Sequence, residues 1–188
     1  MINNVSVSEE LAVKNKELYL NKLNIDLDNN FKLFQTNINN IIFSLSNDLI
    51  IVIISILNKE ENLKNIENII NDFFKKYSDE ITNYLTLRYS YLKEKIEDEN
   101  YETFVNIDII NEIKQYYLNN CPKLVLGIKS YDDFTNERIE EYIQNTFYNK
   151  LINRINIVLN DANQLLINNY YESKERYKLM NEKTSISM

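Results

Sequence analysis

The sequence predicts an all-α protein, an antiparallel bundle of about five or six helices of unequal length. Two observations support this prediction. Glycine and proline, which supply tight turns and end helices, occur once each in 188 residues, as Gly127 and Pro122. β-Sandwiches, barrels and nucleotide-binding α/β domains need many such residues. Large apolar residues also recur at steps of three and four along much of the chain, which is the period of one helix face.

The composition is that of an ordinary globular protein, with 44% hydrophobic and 26% charged residues. A chain of this length can bury a core without a disulfide or a metal ion. We therefore expect one helical domain over residues 1–188, with frayed ends at about 1–6 and 181–188. Asn, Ile, Lys and Tyr are abundant. Because all four have AT-rich codons, their abundance indicates an AT-rich genome.

Two helices are predicted before residue 49. Ser6 to Glu9 fits a capping box, which predicts a first helix that ends at about Asn24. A second helix can start at Asp26. Its apolar residues alternate between steps of four and three, as in the seam of a helical bundle. These residues are Leu27, Phe31, Phe34, Ile38, Ile41 and Leu45.

The segment Leu49–Leu57 is the most apolar part of the chain and is compatible with three structures. Periodicity alone does not distinguish a helix from a strand in a short β-branched run. A strand would need partners, and the candidates at 103–107 and 124–128 are short. A membrane span needs about 20 apolar residues, whereas the stretch from Ile41 to Leu57 gives only about 17 and includes Asp48. We favour a helix buried on all sides, then a strand, then a membrane segment.

A long amphipathic helix is predicted after the apolar segment. Asn58 to Glu61 resembles a helix start with an N-cap and an acidic third position. Apolar residues then recur from Leu63 to Ile96 at steps of three and four. The pattern predicts one helix over about 59–98, or two helices that are broken at Ser78.

Two more helical stretches complete the prediction. Asn106 or Asp108 can cap a shorter helix that ends before Pro122, since the residue before a proline avoids the helical region. Residues 123–129 form an irregular connection. The last long helix begins between 130 and 137, and its apolar stripe runs to Tyr170.

Charge and cysteine content limit the classes of partner. The net charge is −7, and a broad basic face of the kind that binds nucleic acid is not expected. Cys121 is the single cysteine, so no intramolecular disulfide can form, and the chain has no histidine to activate it. The first residues lack the basic and apolar regions of a signal peptide, so we expect a cytoplasmic or intracellular location.

An acidic group near the start of the last helix is the one candidate metal site. Residues 132–137, with Asp132, Asp133 and Glu137, resemble the aspartate-rich magnesium motif of all-helical terpene and prenyl synthases, except that Asn136 stands at an acidic position of that motif. The resemblance implies a small Mg²⁺-dependent enzyme that uses these three carboxylates. Acidic residues also favour the positive end of a helix, and we prefer this capping role, with no metal or cofactor.

The aromatic content points to protein interactions. The chain contains 14 Tyr and 8 Phe, which is more than the narrow core of a small bundle usually holds. Tyrosine is enriched in protein interfaces because it is large, stiff and polar at its tip. The interface candidates are Tyr89, Tyr91, Tyr116, Tyr117, Tyr142, Tyr148, Tyr170 and Tyr171.

We therefore expect a non-enzymatic helical structural or interaction protein that self-associates into a homo-oligomer. Components of viral or mobile-element particles fit this description. The alternatives are the Mg²⁺-dependent enzyme using Asp132, Asp133 and Glu137, and a membrane-associated protein that inserts Leu49–Leu57. We expect a protein partner rather than a membrane or a nucleic acid.

Overall fold

A computed structural model describes residues 2–57, 63–120, 123–127 and 132–186 of the chain. These residues form helices and short connections without a strand, which confirms the all-α prediction. A π-helical turn over Ile143–Phe147 joins the last two helices. The helices of the described residues are α1 (Ile2–Leu57), α2 (Leu63–Glu94), α3 (Tyr101–Val105), α4 (Ile109–Asn120), α5 (Asp133–Tyr142) and α6 (Tyr148–Ile186).

Helix α1 replaces the two helices predicted before residue 49. It begins at Ile2, so the predicted start at Ser6 is wrong, and it continues through the predicted break at Asn24 to Asp26. The polar side chains that suggested a break bond within the helix instead. Asn24 Nδ2 donates to the carbonyl oxygen of Leu20 at 3.3 Å, and Lys22 Nζ donates to Asp26 Oδ1 at 2.6 Å. Without glycine or proline nearby, these local bonds let the helix propagate.

Helix α2 is a single helix. It passes Ser78 without a break, and the Ser78 hydroxyl donates to Asn39 Oδ1 at 3.2 Å. It ends at Glu94, about one turn before the predicted end, and turns follow through Asn100. The predicted start at Asn58 to Glu61 lies outside the described residues.

Neither predicted strand candidate forms a strand. Residues 103–105 belong to helix α3, and residues 124–127 form an irregular connection, with Ile128 outside the described residues. Gly127 has φ +62°, a left-handed conformation that favours glycine. Of the two predicted caps of α4, Asn106 or Asp108, the structure has Asp108, because the backbone N–H of Asn111 donates to Asp108 Oδ1 at 3.3 Å.

The last predicted helix consists of α5, the π-helical turn and α6. Helix α6 extends to Ile186, so the described residues expected to fray at both ends of the chain are helical. The predicted apolar stripe is buried at regular intervals. Its buried members are Ile139, Ile143, Phe147, Leu151, Ile155, Leu159, Ala162, Leu166 and Tyr170.

The chain divides into two compact units, and α1, α2 and α6 each contribute to both. Unit 1 comprises Met1–Leu33, Thr86–Ile107 and Asp161–Met188, and unit 2 comprises Phe34–Leu85 and Asp108–Asn160. Unit 2 has an apolar core in which the ring of Phe74 meets the edges of Phe73 and Phe147, at centroid distances of 5.3 and 5.7 Å. The core of unit 1 mixes apolar residues with buried Asn15, Asp26, Asn30, Arg88 and Ser173.

The apolar segment Leu49–Leu57 is helical, as we favoured over a strand, but it is not buried on all sides. Leu49, Ile53 and Leu57 recur at steps of four and are buried, whereas Ile51 is 64% exposed. Two residues rotate an α-helix by about 200°, so Ile51 and Ile53 point in nearly opposite directions. Only one face of this part of α1 packs into unit 2.

This difference gives a matched pair of variants. We expect Ile53→Asp to unfold the protein or to lower its Tm strongly, because Ile53 is 0% exposed and an unpaired buried charge costs several kcal/mol. That cost is comparable with the whole stability of a domain, about 5–15 kcal/mol. Ile51→Asp places the same charge in water and should leave the Tm nearly unchanged. Thermal unfolding followed by circular dichroism distinguishes the two. Equal Tm values for the two variants would show that the side of α1 with Ile53 is not the buried one.

Candidate interaction surfaces

The tyrosines predicted to form an interface lie in three environments. Tyr89 and Tyr170 are buried in unit 1, so their rings are not available to a partner. Tyr91 and Tyr171 are exposed in the same unit. Tyr116, Tyr142 and Tyr148 are half-buried in unit 2, and the side chain of Tyr117 lies outside the described part of the chain. The seven residues whose side chains are described therefore do not share one exposed surface.

A buried amide links three helices of unit 1. Asn30 is buried on α1, and its Nδ2 donates to the carbonyl oxygen of Ala162 on α6 at 2.9 Å. Its Oδ1 accepts from the Tyr89 hydroxyl on α2. The Tyr89 ring also meets the edge of Phe31 at 5.2 Å. Because a buried polar group is costly when unpaired, this network fixes the register of α1 against α2 and α6 within the unit.

Four more tyrosine rings pack nearby in unit 1. Tyr19 stacks on Tyr177 with centroids 4.6 Å apart, and Tyr101 meets Tyr170 edge-on at 5.1 Å. Burial raises the pKa of Tyr19 to about 12, and burial also raises the pKa of Tyr101 and of Tyr170. The hydroxyls of these three residues therefore remain protonated at neutral pH, where they act as neutral hydrogen-bonding groups.

Helix α3 is held by charged side chains of unit 1. The buried Arg88 guanidinium donates to the carbonyl oxygens of Phe104 and Ile107, each at 3.4 Å. Glu102 accepts from the Tyr171 hydroxyl and from Lys174 Nζ, both at 2.7 Å. The hydrogen bond from Lys174 is the main cause that lowers the pKa of Glu102. The exposed Tyr171 therefore has a local role in joining α6 to α3.

The candidate metal residues begin helix α5. Asp132 is its N-cap, and Asp132 Oδ1 accepts from the backbone N–H of Thr135 at 2.7 Å, which is the capping role we preferred. Asp133 and Glu137 are exposed. Within the described residues, no group of three or more His, Cys, Asp and Glu side chains has an arrangement that could hold a metal ion.

Where α1 and α6 pair in unit 1, the seam between them is polar. Over residues 7–22 of α1, the one buried side chain is that of Asn15, and over residues 171–186 of α6 it is that of Ser173. Asn15 Nδ2 donates to the Thr184 hydroxyl at 3.2 Å. Large apolar side chains of the same stretches, such as Leu11, are exposed instead. This arrangement reverses the usual pattern of a helical pair, and the apolar spacing of the sequence did not predict it.

The outer side of α1 is also apolar in unit 2. Phe43 is 70% exposed, and the exposed Ile51 lies two turns further along the same helix. Within the described residues, one helix, the part of α1 from Val7 to Leu57, is long and apolar enough to cross a membrane. In its most apolar window, 33% of the residues are buried. Length and composition of this kind are shared by core helices of soluble proteins.

Comparison of the chain with protein-family models, with curated proteins and with solved structures gives no match.

The Asn30 network predicts a coupled loss of stability. Asn30→Ala removes the partner of the Tyr89 hydroxyl, and Tyr89→Phe removes the partner of Asn30 Oδ1. We expect each change to lower the free energy of unfolding by about 1–3 kcal/mol, because a buried group is left unsatisfied. The double variant should lose less than the sum, by about 0.5–3 kcal/mol. Urea denaturation measures all four proteins. Additive losses would contradict the hydrogen bond.

The acidic residues of α5 give a test of the magnesium hypothesis. We expect Asp132→Ala to lower the free energy of unfolding by about 1 kcal/mol through loss of the cap. Asp133→Ala, at the exposed first residue of the helix rather than at its cap, is the control and should cost less. Titration calorimetry with Mg²⁺ should detect no difference between these variants and the wild type. Magnesium binding that Asp132→Ala abolishes would favour the enzyme.

Proposed function

We propose that this chain is a non-enzymatic helical assembly protein that self-associates through exposed apolar helix faces. The observation that carries the proposal is the outer side of α1. It exposes Leu11 and Leu18 in unit 1 and Phe43 and Ile51 in unit 2. Single exposed apolar residues are normal on a protein surface, whereas rows of them mark a surface that another molecule covers.

We also propose that the helices are arranged as an antiparallel bundle. Contacts within unit 1 support this arrangement. Asn15 bonds to Thr184, Tyr19 stacks on Tyr177, and Asn30 bonds to Ala162, so the partner's number falls as the residue number on α1 rises. Helices in such bundles present a second face outward, and this face is free for assembly.

A protein partner fits the charge better than a nucleic acid does. The chain carries 28 acidic and 21 basic side chains. A negative protein repels the phosphates of nucleic acids and of anionic lipids at long range. Another protein with an apolar face needs no opposite net charge, because burial of apolar surface supplies the free energy of association.

Membrane association through Leu49–Leu57 is the second candidate. The observations that favour it are the exposed Phe43 and Ile51 and the helix length that would suffice for a span. Against it, α1 buries Leu49, Ile53 and Leu57 against unit 2, and a span would have to give up that packing. Flotation of the protein with uncharged phosphatidylcholine vesicles, compared with Ile51→Asp, tests this candidate.

The mass in solution tests the assembly proposal. We expect a discrete homo-oligomer at micromolar concentration, without detergent, with a mass that is a multiple of 22.5 kDa. Light scattering coupled to size-exclusion chromatography gives this mass. A homo-oligomer is expected because the exposed apolar side chains of two or more copies can cover one another.

A monomer at every concentration would contradict the proposal. A monomer that floats with the vesicles would instead favour the membrane candidate. Amorphous aggregation without a defined mass would also contradict it, because the proposal expects a closed, symmetric oligomer.

A further inference from the structure

We propose that two copies of the chain pair through a second seam on α1 in unit 1. This inference rests on the proposed self-association and names the partner and the surface. The surface, here called the α1 stripe, consists of Val7, Leu11, Lys14, Leu18, Asn21 and Ile25.

The α1 stripe has the period of a coiled-coil seam. Its members follow one another at steps of four, three, four, three and four, and all six are exposed. Leu11, Leu18 and Ile25 fall seven residues apart, at one core position of the heptad, while Lys14 and Asn21 fall at the other core position. A polar residue at such a position commonly sets the register and the number of helices. The stripe is therefore patterned for a helical partner.

The stripe is distinct from the seam that α1 already uses. Asn15 and Tyr19 face α6, where they contact Thr184 and Tyr177. Asn15 is buried, and its neighbours Leu11 and Leu18 on the stripe are 44% and 50% exposed. Helices gain most of their stability from packing an apolar face. In this part of α1 the apolar face is exposed to solvent. Its large side chains therefore do not contribute the packing that stabilises a helix.

The charges favour a second copy of this chain as the partner. The parts of α1 and α6 in unit 1 carry nine acidic and eight basic side chains, although the whole chain has a net charge of −7. Two copies can therefore approach through this surface with little repulsion. A strongly acidic or strongly basic partner would gain little electrostatic attraction from this nearly neutral surface.

The order of residues on the stripe is also self-complementary. When two copies of α1 pair antiparallel about a two-fold axis between residues 12 and 13, Val7 lies opposite Leu18 of the partner subunit. Leu11 then lies opposite Lys14 of the partner subunit. The amine of that lysine comes close to the carboxylate of Glu10, the residue before Leu11. Two apolar pairs and two ion pairs form from one symmetric contact, as in an isologous interface.

A groove beside the stripe offers room for a partner side chain. It has a volume of about 150 Å³ and lies between α1 and α6, where its walls include Leu18, Tyr19, Tyr177 and Met180. In the antiparallel pairing, Val7 of the partner subunit lies next to Leu18 and so at this groove. An apolar side chain that fills a groove between two helices is the usual knob-into-hole contact.

The first test replaces two apolar members of the stripe in the full-length chain. We expect Val7→Asp with Leu18→Asp to weaken dimerisation about 100-fold or more, because the two new carboxylates of each copy would lie opposite those of the other copy in the shared seam. The matched control is Val13→Asp with Leu87→Asp, two positions that are more exposed and lie off the stripe. Sedimentation velocity gives the dimer Kd, which the control should leave within about twofold of the wild type. All four positions are exposed, so circular dichroism should show folded proteins.

The second test reverses the proposed ion pair, and it decides the question even where the aspartate variant fails to fold. Lys14→Glu should weaken the dimer about tenfold, and adding Glu10→Lys should restore most of the loss. A dimer that survives Val7→Asp with Leu18→Asp would overturn the inference while leaving self-association in place. So would a failure of Glu10→Lys to restore Lys14→Glu. A wild-type monomer would overturn both proposals.

Discussion

The structure depends on one constraint, namely that each long helix can bury only one face. A chain with one glycine and one proline turns back rarely, so α1, α2 and α6 account for most of the described residues. An α-helix repeats every 3.6 residues, and a face that packs inward leaves another in water. What each face carries therefore decides both the stability of the fold and the surfaces that remain for partners.

The two units use this constraint differently. Unit 2 buries a conventional apolar face, with Leu49, Ile53 and Leu85 fully enclosed. In unit 1 the inward positions include Asn15, Asn30 and Arg88, which are paired by hydrogen bonds. Each such bond adds only about 0.5–1.5 kcal/mol to the free energy of unfolding, but a wrong register between the helices would leave buried polar groups unpaired at a high cost. Polar seams thus specify the alignment of the helices, while apolar side chains of α1 such as Leu11 and Leu18 stay exposed in unit 1.

Periodicity predicted the class of fold and much of the core, because the spacing of apolar residues along a long helix marks the face that is buried. Leu27, Phe34, Ile38 and Leu45 are buried as that spacing implies. Helix boundaries were predicted less well. Ser6 and Asp26 belong to sequences that can cap a helix, but the chain on both sides favours continuing, and a capping signal does not reveal this competition.

The candidate surface was harder to predict than the fold. Tyr89 and Tyr91 have the same side chain, yet one is buried and the other exposed, since only the packing of α2 decides which face each occupies. The prediction of a first helix does not tell which of its faces packs, so it does not separate Leu11 and Leu18 from Val13 and Leu20. Leu11 and Leu18 differ from these residues in belonging to the heptad pattern from Val7 to Ile25. The side of α1 that packs on α6 lies next to this pattern and carries Asn15 and Tyr19.

Hydrogen exchange at two protein concentrations tests the central claim most directly, that the outer face of α1 in unit 1 is covered by a second copy. We expect amides of residues 7–25 to exchange more slowly at the concentration where the protein is dimeric, because pairing suppresses local opening. Amides of residues 66–85 in unit 2 should exchange equally at both concentrations. Equal protection of residues 7–25 in the monomer and in the dimer would contradict the account.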